Sequence, residues 1–73
     1  MDGHFKIKSY GYGELAQLYF PNITPKSASW QLRKWIVASP RLIILLNETG
    51  YKSKSKLLTP VQVRIIVMEF GEP

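Results

Sequence analysis

Apolar and polar residues change period several times along this chain, and each change marks an element. Phe5-Lys6-Ile7-Lys8-Ser9-Tyr10 alternates with period two, the pattern of a short strand. Gly11-Tyr12-Gly13 then breaks the alternation and reads as a turn. From Gly13 to Phe20 the period becomes helical, with Leu15, Ala16, Leu18 and Tyr19 on one face and Pro21 as the stop. Thr24-Pro25 opens a second helix. A threonine hydroxyl can cap it, and a proline at the first helical position forfeits no hydrogen bond. Ala28, Leu32, Trp35 and Ile36 define its inward face, and Lys26, Ser27, Gln31, Arg33 and Lys34 lie on the other side.

Ser39-Pro40 repeats the same start for a third helix running to Glu48. Leu42, Leu45 and Leu46 point inward, and Gly50 suits the left-handed position beyond its end. Thr59-Pro60-Val61-Gln62 starts a fourth helix with a cap, a proline and a capping-box glutamine. Val61, Val63, Ile65 and Val67 alternate as a strand would, yet the cap at one end and Gly71 at the other predict a helix. Val63, Ile66, Val67 and Phe70 then face the core. Leu57-Leu58 offers the N-terminal strand a partner, because a lone strand cannot stand. The fold class expected is mainly α. It is a small bundle of about four short helices with a helix-turn-helix-like first pair and a minimal two-stranded ribbon.

Length and composition narrow this further. The 73 residues leave room for one small domain, 1–73, with residues 1–4 frayed. A chain of this size buries only about 60% of its unfolded surface. It has no cysteine and one histidine, His4, so disulfides and thiolate-bound metal are excluded and no metal or cofactor is expected. Catalytic groups are equally sparse. His4, Asp2, Glu14, Glu48, Glu69 and Glu72 are scattered, three of them near a terminus, with no nucleophile elbow and no paired carboxylates. No enzymatic activity and no small-molecule substrate are expected. Leu42 to Leu46, the longest apolar run, is far short of the ~20 residues that span a bilayer. Nor does any basic leader precede an apolar segment, so the expectation is a cytoplasmic protein with no membrane contact.

Ten Lys or Arg oppose five Asp or Glu, for a formal charge of +5. Such an excess suits an anionic partner, and its placement on the second helix gives that partner a surface. Leu15-Ala16-Gln17-Leu18, Ile23-Thr24-Pro25-Lys26-Ser27-Ala28, Leu32 and Trp35 resemble the helix-turn-helix of MerR-like and excisionase-like DNA-binding domains. In that resemblance duplex DNA is the partner. Lys26 and Lys34 would meet phosphates, Gln31 would meet a base edge, and Ser27 and Arg33 would lie at the contact. The chain between Ala16 and Ile23 is about two residues longer than the usual tight turn, and an ordinary αα-hairpin would carry the same pattern. Lys52, Lys54 and Lys56, spaced by serines, form a basic loop able to follow a phosphate backbone. Trp30, Val37, Ile43, Ile44 and Met68 exceed what so small a core hides, and they are candidates for a protein interface or homodimer seam.

Tyr10-Gly11, Gly13-Glu14-Leu15-Ala16, Leu18-Tyr19-Phe20-Pro21, Thr24-Pro25 with Ser27-Ala28, Trp35-Ile36, Gly50-Tyr51, Leu58-Thr59-Pro60 with Gln62-Val63-Arg64, and Gly71-Glu72-Pro73 form a pattern that runs end to end. In it the chain resembles domain-of-unknown-function family 4248, short bacterial proteins of the Bacteroides group. The resemblance implies no assigned activity or site residues, and an association with mobile-element and DNA-binding genes. Ile43 and Ile44 stand where the family pattern is more polar.

Overall fold

A computed structural model of the protein describes residues 5–52 and 56–73. In chain order these form β1 (Tyr10–Gly11), α1 (Tyr12–Tyr19), α2 (Pro25–Val37), α3 (Pro40–Asn47), β2 (Leu57–Leu58) and α4 (Pro60–Phe70). Helix starts follow local chemistry closely. Thr24 Oγ1 accepts from Ser27 N at 3.2 Å, Ser39 Oγ from Leu42 N at 3.4 Å, and Thr59 Oγ1 from Gln62 N at 3.2 Å. Each of these three helices has a proline in its first turn. Residues 60–70 are helical despite their β-branched alternation. The cap supplies an N-terminal partner at no tertiary cost, and Gly71 ends the helix at φ +87°.

Two sequence expectations need correction. The alternating stretch 5–10 is not a strand along its length; only Tyr10 and Gly11 pair, antiparallel with Leu58 and Leu57. The register explains why. Continuing the ladder would set Lys8 opposite Pro60, which has no N–H and already belongs to α4. The preceding residues fold back instead: Phe5 stacks on Tyr10 with ring centroids 5.3 Å apart, and Tyr10 Oη donates to the Lys6 carbonyl at 2.8 Å.

The second correction concerns Gly11-Tyr12-Gly13, which is not a free turn. Gly11 ends β1, and Tyr12 and Gly13 already belong to α1. Without a side chain Gly11 cannot cap, so Glu14 does the work, its Oε1 accepting from Gly11 N at 3.1 Å. Gly13 has a different role. A Cβ there would lie 3.2 Å from Ser29 Oγ, so its bareness lets α1 approach α2 closely.

The core gathers Leu15 and Ala16 of α1, Ala28, Leu32 and Ile36 of α2, Leu42 and Leu46 of α3, and Val63 and Ile66 of α4. Leu58, Tyr10 and Tyr12 close it from the ribbon side. Helices pack in sequence, α1 on α2, α2 on α3 and α3 on α4. Several residues assigned inward lie at the edge. Leu18 is 45% exposed because Leu15, Ala16 and Tyr19 already fill the narrow face α1 turns to α2. Leu45 is exposed, and Val67 and Phe70 are half-buried. Trp35 is also partly exposed, yet its ring meets Phe20 at 4.8 Å and Phe70 at 5.0 Å between centroids. In the other direction, Ile43 packs against the core from α3. Gln62 is only 5% exposed. Gly50 takes φ +81° beyond α3, as its position predicts.

Candidate nucleic-acid interface

The surface with the most concentrated chemistry is the outward side of α2. Its buried stripe, Ala28, Leu32 and Ile36, leaves Lys26, Trp30, Lys34 and Val37 on the opposite side at 3.6-residue spacing. The helix carries three cations and no acid. Lys34 Nζ lies 4.5 Å from the centroid of the Trp30 ring, a cation–π pair that fixes both groups on the surface. Trp30 is 58% exposed and Val37 62%.

Arg33, one position round the helix, is half-buried, with its guanidinium carbon 5.4 Å from the centre of the Tyr12 ring. Tyr12 in turn ties down both sides of the lysine-rich segment. Its backbone N–H donates to the Lys56 carbonyl at 2.8 Å, and its hydroxyl lies 3.3 Å from that of Tyr51. Burial pushes the Tyr12 phenol far above its ordinary range; the Tyr51 hydrogen bond and charge push the same way, and only Arg33 opposes them. The ring is therefore a neutral platform beneath a permanent cation. Tyr12 thus carries Arg33 on its ring while touching Tyr51 and the Lys56 backbone, and Lys52 and Lys56 are exposed.

Two shallow grooves flank Trp30 and Arg33. One, of about 540 Å3, is lined by Lys26, Ser27, Ser29, Trp30 and Arg33. The other, of about 420 Å3, is lined by Trp30, Arg33, Lys34, Val37 and Ala38, with carbon atoms making nearly all of its surface.

Of the residues assigned to nucleic acid from sequence, Lys26, Ser27, Arg33 and Lys34 come together along these grooves. Lys54 lies outside the described residues. Gln31, expected to point outward, is half-buried and lines neither groove. The turn before α2 is set by Gln17, whose Nε2 donates to the Ile23 carbonyl at 2.9 Å. Tyr12, Ser29, Ala38 and Tyr51 were not singled out by sequence. The Tyr12–Tyr51 contact spans 39 positions, and no local pattern signals it.

The residues proposed for a protein interface do not all line one groove. Trp30 and Val37 share the carbon-lined groove. Met68 borders a separate groove of about 150 Å3 with Arg41, Leu45, Ile65 and Glu69. Ile44 is exposed on α3, and Ile43 turns toward the core. Elsewhere Trp35, Ala38, Ser39, Glu69 and Phe70 line a further groove of about 470 Å3, where Ser39 Oγ donates to Glu69 Oε2 at 3.2 Å.

Among the described residues no three His, Cys, Asp or Glu gather where a metal could be held. No helix there is long and apolar enough to cross a membrane. No curated protein and no solved structure matches the chain. The family described as Domain of unknown function (DUF4248) matches it over residues 6–73, and the chain belongs to that family.

Proposed function

We propose that this is a small, non-enzymatic, cytoplasmic protein that binds the phosphate backbone of nucleic acid. The cationic side of α2 and the flanks of the lysine segment would form the contact surface. One observation carries this proposal. Arg33 covers the Tyr12 ring at 5.4 Å, while the Tyr12 backbone N–H donates to the Lys56 carbonyl and the Tyr12 hydroxyl approaches that of Tyr51. The backbone at Lys56 thus lies against the same tyrosine that carries Arg33, which supports a backbone-tracking surface built from both parts of the chain. α1 and α2 serve as the helix-turn-helix-like pair, with α2 as the contact helix.

Fluorescence anisotropy with mixed-sequence DNA across a salt series tests this. Affinity should fall steeply with salt, with a log–log slope of about 0.7–0.9 per phosphate neutralised. Lys34→Ala and Lys56→Ala should each lower that slope by roughly one contact. Binding that ignores salt, or variants that bind like the parent, would refute the proposal.

A second reading is supported by the carbon-lined groove beside Trp30 and Val37, which would suit a protein partner or a second copy of the chain. Sedimentation velocity on the concentrated protein separates the two. A dimer that Trp30→Ala dissociates favours the second.

A further inference from the structure

The composition of the two grooves bears on which form of nucleic acid fits. A duplex presents phosphates and the polar edges of stacked bases, with thymine methyl groups as its main apolar feature. Here the most exposed large apolar side chains of α2 are Trp30 and Val37, and the groove they share is almost wholly carbon-lined. Pressed into a major groove, that strip would desolvate base edges without replacing their hydrogen bonds. Gln31, the side chain suited to reading such an edge, is half-buried and lines neither groove. An unstacked base, in contrast, offers a flat apolar face to an indole, and its own phosphates remain outside the groove.

The cations are arranged to suit those phosphates. Lys26 and Lys34 are eight positions apart, about 12 Å along the helix axis, and they lie on opposite sides of Trp30. Lys34 approaches the ring at 4.5 Å, Arg33 forms a wall of both grooves, and no acidic side chain lines either. Charge and shape thus alternate along one line, as cation, aromatic ring, then cation.

Resting on the nucleic-acid reading above, we infer that the ligand is single-stranded, with one base stacked on Trp30 beside Val37 and the adjoining phosphates held by Lys26 and Lys34. The same groove leaves sequence preference weak, because stacking accepts any base.

The test compares a single strand of about 12 nucleotides, within the site sizes of known single-strand binders, with a duplex of the same sequence at equal salt. Affinity and tryptophan fluorescence are read together. The single strand should bind at least about tenfold more tightly and quench emission; Trp30→Ala should abolish the quenching and weaken binding by roughly 5- to 150-fold, the range of one base–aromatic stack. Trp30→Phe, which keeps a ring, should retain most of the affinity. If the duplex bound equally well or better and Trp30→Ala were harmless, the single-strand inference would be overturned. The phosphate-binding reading would survive that result only if Lys26→Ala and Lys34→Ala still reduced affinity and salt slope. Failure of both probes to bind would overturn both. A homodimer that blocked binding and dissociated in Trp30→Ala would assign the groove to a second copy and overturn the inference too.

Discussion

At the scale of single residues, the side chains with the most consequence are polar groups drawn inward. Gln62 joins two parts of the chain: its Oε1 accepts from Thr59 N at 3.0 Å, and its Nε2 donates to Thr49 Oγ1 at 3.1 Å. The threonine passes the connection on, donating to the Leu46 carbonyl at 2.6 Å, so the cap of α4 is coupled to the end of α3. Gln62→Leu keeps the volume and loses both bonds, leaving Thr59 N and Thr49 Oγ1 short of partners. The expected cost is about 1–3 kcal/mol, read as a lower midpoint in thermal denaturation at about 4–8 °C per kcal/mol. An unchanged midpoint would mean that water replaces the amide. Gly13 makes an opposite demand, for emptiness. Gly13→Val would drive a branched side chain into Ser29 and Pro25, the nearest atom being 3.2 Å from the first added carbon. A loss of about 1–3 kcal/mol is expected from such overpacking, and circular dichroism during urea denaturation would measure it.

At the scale of elements, α4 shows how local signals outweigh periodicity. Its β-branched residues alternate, yet Thr59, Pro60 and Gln62 fix the first turn before any tertiary contact is needed. Once helical, Val63 and Ile66 fall inside and Met68 is left 79% exposed. Ile66→Ala should therefore cost about 2–5 kcal/mol, whereas Met68→Lys should stay within about 0.5 kcal/mol; equal effects in chemical denaturation would contradict this orientation. The same contrast explains what the sequence made legible. Three helix starts were readable because cap and proline act within four residues. The strand expected at 5–10 shortens because its length depends on its partner, which gives way to α4 at Pro60, some fifty positions away. The cationic side of α2 was visible from spacing alone. Its junction with the lysine segment was not, because Tyr12 joins Arg33, Tyr51 and Lys56 only in the folded chain.

For the whole molecule, the tyrosines set an alkaline limit on the fold. Tyr12 lies buried beside Arg33 of α2, the Tyr51 hydroxyl and the Lys56 backbone, and its phenol is pushed far above the ordinary value of about 10. Tyr19 stands at the other end, where its hydroxyl donates to the Gly71 carbonyl at 2.6 Å and ties α1 to the end of α4. Burial, reinforced by the Glu72 carboxylate, pushes its phenol up to about 12. Both groups hold their protons more tightly folded than unfolded. Their contribution is therefore complete below pH ~10 and declines as pH rises past that value toward the folded pKa, because the unfolded chain gives up its protons first. Cooperative unfolding is expected between pH ~10 and ~12, with circular dichroism and phenolate absorbance changing together as Tyr12 and Tyr19 ionise. Tyr12→Phe should move this transition to higher pH, since it removes the most strongly shifted phenol and keeps the ring beneath Arg33. If both tyrosines titrated as free phenols while the helical signal persisted, neither would be buried as described. The ring beneath Arg33, bonded to the Lys56 backbone, would then be displaced as well, linking the alkaline limit of the fold to the geometry of its proposed binding surface.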